Sequence, residues 1–146
     1  MSSYVEKNKK TKALIQQAFL HMLTSKTFEA VTVGDIAKQA GINRGTFYLH
    51  YLDKFDLLDQ IEAQLFETLG AHIDELHANY SGTVTFERGQ EQLASSLFRS
   101  IQVQAPMLKI FLSNRGRAGL HMRFRDAFAE KVRYHLLQND SIRQYL

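Results

Sequence analysis

A single proline, Pro106, interrupts the 146 residues of this chain, and apolar residues recur at three- and four-residue intervals along most of its length. Proline is the residue that most strongly disrupts helices, and this spacing places apolar side chains on one face of a helix. The sustained alternation of apolar and polar residues that is typical of half-buried strands is missing. The sequence therefore predicts an all-helical fold.

The composition narrows the classes of function. Hydrophobic residues make up 45% of the chain, enough for a core, and there is no cysteine, which excludes disulfides, thiolate metal sites and cysteine nucleophiles. His72 and His77 are five residues apart and miss the spacing of a helical metal-binding pair. Residues 1–12 are polar and lysine-rich, and no apolar run has the length of a membrane span. We therefore expect no metal, no cofactor, no membrane association and a cytoplasmic location.

The first half of the chain predicts four helices. Apolar spacing favours a first helix from Lys12 to Thr24 and a long one from Asp53 to about Tyr80. Two short helices lie between them, one starting at Thr32 and ending near Ala40, the other running from Arg44 to Tyr51. Because the long helix has the reach to connect two units, we predict a three-helix head at 1–52 and a helical body at 53–146.

The second half of the chain predicts helices separated by breaks. In order, the predicted segments are a loop at 79–85, a helix from Phe86, a separate short helix starting at Pro106, a break at 113–119, a final long helix, a break at 139–140 and the beginning of another helix at 141–146. Because proline is tolerated in the first turn of a helix, Pro106 is interpreted as a helix start.

Two short helices joined by a tight turn form the most informative part of the sequence. Thr32 and Asp35 have the spacing of a capping box, Gly41 stands where a left-handed residue ends a helix, and Asn43 can cap the next helix. This order is the helix-turn-helix arrangement, in which the second helix enters the major groove of DNA. Helix starts present free amides, so Thr32 and Lys54 are natural phosphate sites.

The second short helix has one face for packing and another for DNA. Helical geometry places Phe47 and Tyr51 together on the face that is predicted to be buried, with Gly45 and Leu49 opposite. Gly45 permits a close approach to the bases, and Tyr48 offers a hydroxyl to phosphate. A single tyrosine on a surface helix is usually without function. Its position in a helix-turn-helix is what favours a DNA contact.

The same stretch carries a set of motifs. An aromatic residue precedes Thr-Val, and D-I-A-x-x-A-G-I, R-G-T-F-Y-x-H-Y and D-K-x-x-L-L follow, so the run from Lys12 to Leu58 resembles the DNA-binding domain of TetR-family transcriptional regulators. Leu52 and Phe55 depart from the commonest pattern, and TFYLHY-x-DK-x-DLL is similar to one subgroup of the family. Carried over by position, the resemblance implies double-stranded DNA as a partner and contacts from Thr32, Asn43, Arg44, Gly45, Thr46, Tyr48, Leu49, His50 and Lys54. At Leu49 the contact would be apolar, for example to a thymine methyl.

The resemblance also implies a body that forms a homodimer and often encloses a small-molecule effector. Candidate pocket residues, for which core packing is the commoner alternative, are Phe66, Leu69, Ile73, Phe98, Ile101, Met107, Phe111 and Phe128. Family members usually continue beyond this length, so the body is expected to be incomplete at its C-terminal end.

The leading hypothesis is a non-enzymatic transcriptional regulator, a repressor, that binds a near-palindromic operator as a homodimer, with effector control through the body. The alternative is a helical adaptor or architectural protein that binds DNA weakly and without sequence preference. An enzyme is disfavoured, because the sequence has no phosphate-binding loop, metal-ligand spacing or nucleophile elbow.

Overall fold

The computed structural model describes residues 2–80, 86–113 and 117–138. Every regular element in these ranges is a helix, so the all-helical prediction is confirmed. The helices are α1 (Ser2–Met22), α2 (Val33–Gln39), α3 (Arg44–Tyr48), α4 (Lys54–Tyr80), α5 (Phe86–Leu112) and α6 (Leu120–Gln138). Of the loop predicted at 79–85, residues 79–80 belong to α4 instead, because the helix continues to Tyr80. Residues 81–85, the predicted break at 139–140 and the predicted helix start at 141–146 lie outside the described residues.

Helix α1 begins ten residues earlier than the apolar stripe predicts, at Ser2 instead of Lys12. The added segment contains no glycine or proline, and the Thr11 hydroxyl donates to the Lys7 carbonyl oxygen at 2.9 Å. Lysine and glutamate are good helix formers even where nothing packs against them. A helical extension that is exposed to solvent has no apolar periodicity, so the apolar stripe does not reveal it.

Helix α5 passes through Pro106, so the prediction of a separate helix starting there is wrong. Proline removes one backbone donor, which leaves the carbonyl of the residue four positions earlier, Gln102, without its helical partner. Gln102 is exposed, and water can satisfy that oxygen. Beyond the proline, Ile110 and Phe111 are buried in the core, where the Phe111 ring lies 5.7 Å from that of Phe124 on α6, and this packing holds the last turns in place.

Helix α3 ends at Tyr48, three residues before the predicted end. The helix does not continue because carboxylate side chains bind the backbone amides that follow it. The Asp56 carboxylate accepts from the Leu52 amide at 2.8 Å, and Asp53 accepts from the Phe55 and Asp56 amides, each at 2.8 Å. Such bonds compete with helix continuation. The first turn of α4 is thereby fixed directly after α3.

One continuous hydrophobic core joins the helix-turn-helix to the later helices. Phe19 from α1, Phe47 from α3 and Leu58 from α4 are each fully buried in it. Farther along α4, Leu65 extends the same core to Phe111 of α5, together with neighbouring apolar residues of α6. Because α4 contributes to both ends, it links the position of α2 and α3 to that of α5 and α6.

Candidate nucleic-acid interface

A capping box starts α2, as the sequence predicts. The Thr32 hydroxyl oxygen accepts from the Asp35 amide at 3.1 Å, and the Asp35 carboxylate accepts from the Thr32 amide at 3.2 Å. Hydrogen bonding to the side chain and then to the backbone of Thr32 lowers the pKa of Asp35. Thr32 is exposed, so a phosphate can reach the start of α2 at this residue.

The turn between α2 and α3 depends on Gly41. Its φ is +69°, in the left-handed region, and no atom lies within 4 Å of the place a Cβ would occupy. The requirement for glycine is therefore one of backbone conformation. The Ile42 amide donates to the Ala37 carbonyl oxygen at 3.0 Å, and the Gly41 amide donates to that of Lys38 at 3.2 Å. These bonds close α2 and set the angle at which α3 leaves.

Asn43 caps α3 with its side chain. Its Oδ1 accepts from the Thr46 amide at 2.7 Å and from the Thr46 hydroxyl at 3.0 Å. Two predicted DNA contacts are therefore bound to each other, which leaves the Asn43 amide nitrogen and the Thr46 methyl group as the parts free to face DNA. A Cβ at Gly45 would lie 3.2 Å from the same Oδ1, so Gly45 also makes room for this cap.

Helix α3 divides into a buried and an exposed face. Phe47 and Tyr51 are buried, as predicted, whereas Tyr48 is 49% and Leu49 82% exposed. Arg44 and Gly45 are exposed as well. The structure thus presents an aromatic hydroxyl, an apolar side chain and a guanidinium around a glycine.

His50 follows this face in the turn after α3 and is half-buried. Desolvation by burial, followed by the nearby charge of Lys12, lowers the pKa of the imidazole. The ring is therefore neutral at pH 7 in the free protein, with one nitrogen as donor and the other as acceptor.

The ammonium of Lys54, predicted to bind a DNA phosphate, is bound within the protein. Its ammonium donates to the carbonyl oxygens of Phe28, Glu29 and Val31 at 2.8, 3.1 and 2.8 Å, and lies 4.7 Å from the centre of the Phe28 ring. An ammonium has three donors, and all are used here. The side chain ties the start of α4 to the segment directly before Thr32.

A second polar link joins α1 to Tyr51, in the segment that follows α3, and to α4. The sequence reasoning missed this link. The Gln16 amide nitrogen donates to the Tyr51 hydroxyl at 3.3 Å and to the Gln64 side-chain oxygen at 3.1 Å. Burial raises the pKa of Tyr51, more than the bond from Gln16 lowers it. The contacts span 35 and 48 residues, so no local sequence signal could have revealed them.

The predicted effector-pocket residues occupy different environments. Leu69 and Phe111 are buried in the core, and Phe66, half-buried, lies 4.9 Å from the Phe124 ring. Three of the candidates are exposed: Phe98 at 68%, Ile101 at 40% and Phe128 at 38%. Met107 lines a cavity between α1 and α5. The side chain of Ile73 lies outside the described residues.

The described residues contain neither a metal-binding cluster nor a membrane-spanning helix. No group of three or more histidine, aspartate or glutamate side chains is arranged there to hold a metal ion. None of the described helices combines the length and the apolar character needed to cross a membrane.

Part of the chain matches a known family. Residues 17–61 match the family described as "Bacterial regulatory proteins, tetR family". Over 74 residues the chain is 32% identical to the uncharacterized HTH-type transcriptional regulator YxbF of Bacillus subtilis, covering 46% of this chain and 20% of that protein. Over 70 residues it is 33% identical to the HTH-type transcriptional regulator AcrR of Shigella flexneri, covering 48% and 31%. The matches thus span a third or less of these relatives, whose names are those of regulators and not of enzymes.

The fold as a whole also has a solved counterpart. The structure of the fatty acid degradation regulator FadR from Bacillus halodurans matches with a TM-score of 0.56 and 20% identity, over 92% of this chain and 67% of that one. At this identity the likeness concerns the fold. The family match, by contrast, includes α2, α3 and the turn between them, so residues 17–61 of this chain form an N-terminal helix-turn-helix domain of the TetR family.

Proposed function

We propose that this chain is a transcriptional regulator that binds double-stranded DNA through α3, with residues 1–52 as the DNA-binding unit and 53–146 as the regulatory body. The observation that carries the proposal is the exposed face of α3, where Leu49 is 82% exposed beside Tyr48, Arg44 and Gly45. A buried Phe47 on the opposite side fixes the orientation of that face. The proposed docking therefore follows the helix-turn-helix mode.

Each proposed contact has a distinct role. Arg44 is suited to a guanine edge or a phosphate, and Leu49 to a thymine methyl. Contacts to phosphates position the protein on the duplex. The groups suited to them are Thr32, Tyr48, His50 and the Asn43 amide. The Thr46 methyl lies on the flank of α3, and Gly45 keeps the backbone close to the bases. For Lys54 we propose a positioning role, because its ammonium already binds three carbonyl oxygens.

We further propose that the regulator is a cytoplasmic repressor that binds a near-palindromic operator as a homodimer, with effector control through the later helices. The TFYLHY-x-DK-x-DLL subgroup belongs to the same proposal. Support comes from the match of residues 17–61 to the tetR family and from the likeness of the fold to FadR. Two DNA-binding units held at a fixed separation would read two half-sites one helical turn or a multiple of it apart.

The decisive experiment is footprinting on the DNA that flanks the protein's own gene. Protection of an inverted repeat, with a large excess of affinity over random duplex, is the expected result. A specificity ratio near one would contradict the proposal and favour the alternative of an adaptor or architectural protein with nonspecific DNA binding. Protection of a single half-site would support DNA recognition while overturning the homodimer.

A further inference from the structure

A cavity of about 870 Å³ lies between the second half of α1 and the second half of α5. Residues 17–24 form one wall, residues 103–113 form the other, and among the described residues α4 and α6 contribute none of the lining. The volume is within the range of small-molecule sites, roughly 300–1,000 Å³. The cavity thus lies at the boundary between the DNA-binding unit and the later helices.

The lining combines an apolar floor with a rim that carries the ammonium group of Lys109. Leu23 and Ile110, 0 and 4% exposed, belong to the core, and Val103, 71% exposed, stands at the open edge. His21 and Lys109 supply imidazole and ammonium groups, and no aspartate or glutamate is part of the lining. In the part of the chain that the structure describes, Lys109 makes no ion pair. Its charge is therefore uncompensated within the cavity.

We propose that this cavity binds a small amphipathic molecule with an apolar body and an anionic group. The apolar body would cover the aliphatic floor, which recovers the free energy of removing apolar surface from water. The anionic group would lie at the rim near Lys109, where no protein carboxylate competes with it. A cationic ligand of the same shape would meet the charge of Lys109 unfavourably.

The location gives such a ligand a route to the DNA-binding face. α1 contacts α5 across the cavity and also contacts α2 of the helix-turn-helix. A ligand that bears on both walls favours one separation of α1 and α5, so its binding is coupled to the orientation of α2 and α3. This regulatory consequence rests on the proposed function, whereas ligand binding itself does not.

The charge of the ligand is tested by titrating the full chain, without DNA, with decanoate, decanol and decylammonium below their aggregation limits. Calorimetry is expected to give the order decanoate, decanol, decylammonium, with about tenfold between the first and the last, as one charge-assisted contact provides. Equal affinity of the carboxylate and the ammonium would overturn the proposal, and so would the absence of binding by all three.

The place of binding is tested by two pairs of variants. Val103→Asp puts a carboxylate at the open edge and is expected to weaken decanoate at least about tenfold, whereas Met122→Asp, at a site on α6 that is 50% exposed, is not. Lys109→Gln is expected to weaken decanoate and leave decanol unchanged, with Lys10→Gln as the exposed-lysine control. If both members of a pair lose affinity equally, the ligand binds elsewhere and the proposal fails.

Failure of this inference is distinct from failure of the proposed function. Operator protection by the ligand-free chain, with no decanoate binding, would leave the regulator intact and remove the cavity as a ligand site. Decanoate binding that obeys the variant pattern, without operator protection, would keep the ligand site and remove the regulator.

Discussion

The ammonium nitrogen of Lys54 lies 2.8 Å from the carbonyl oxygen of Val31, the residue before the N-cap of α2. Lys54→Met keeps the apolar stem but leaves three carbonyl oxygens without this donor. We expect a loss of about 1–3 kcal/mol in the free energy of unfolding, the cost of an unsatisfied part-buried group. Urea denaturation measures it, with Lys38→Met on the exposed side of α2 as the control that should change little.

The same variant tests whether Lys54 also reaches DNA. Because the ammonium is held by carbonyl oxygens, the slope of log binding constant against log salt is expected to stay the same in Lys54→Met. A slope reduced by about 0.9, the value for one phosphate contact, would mean that the ammonium leaves the carbonyls in the complex.

Gly45→Ala separates folding from recognition. Alanine favours a helix by up to about 1 kcal/mol over glycine, and the new Cβ meets Asn43 Oδ1 at 3.2 Å, which offsets part of that gain. The melting temperature is therefore expected to change little, while operator affinity falls because the added methyl keeps α3 from the bases. Unchanged affinity in a gel-shift titration would exclude close approach at Gly45.

Tyr48→Phe and Tyr48→Ala test the proposed phosphate contact. Removing the hydroxyl alone is expected to weaken binding to specific and random duplex alike, by about 0.5–1.5 kcal/mol, the net value of one hydrogen bond. Alanine should cost more, since the exposed ring is lost too. Tyr134→Ala, on α6 and 56% exposed, is the matched control. A loss confined to the operator would instead indicate base recognition.

Leu49→Ala tests apolar readout of thymine. If Leu49 covers a thymine methyl, its truncation should weaken operator binding by about 0.8 kcal/mol per lost methyl-sized contact, roughly fourfold. Replacing that thymine by deoxyuridine should weaken the unaltered chain similarly and leave Leu49→Ala unaffected. Additive losses in the two changes would show that Leu49 contacts another part of the DNA.

Asp35 makes stability depend on acid pH. Its pKa is lowered in the folded chain by hydrogen bonding to Thr32, so it contributes stability above its unfolded pKa, and this is lost as pH falls through the lower folded value. Asp35→Ala should therefore be less stable than the unaltered chain at neutral pH, with the difference shrinking below about pH 4. Glu29→Ala serves as the control. A difference that is constant with pH would contradict the role of the charged capping box.

The helix-turn-helix could be predicted because its determinants are local. The capping box joins Thr32 to a residue three positions later, the left-handed turn needs only Gly41, and the burial of Phe47 follows from helical periodicity. Each of these is decided by neighbours within about one helical turn. The family match over residues 17–61 covers this same region.

The sequence by itself determined the class of fold, the two short helices and the exposed face of α3, because short-range hydrogen bonds and side-chain periodicity control them. Only the tertiary structure decided that α5 continues through Pro106, that Lys54 binds carbonyls 23 to 26 residues away, and that a cavity lies between α1 and α5. These features depend on which distant surfaces come together. Packing of Ile110 and Phe111 outweighs one missing helix bond, a balance that no local pattern records.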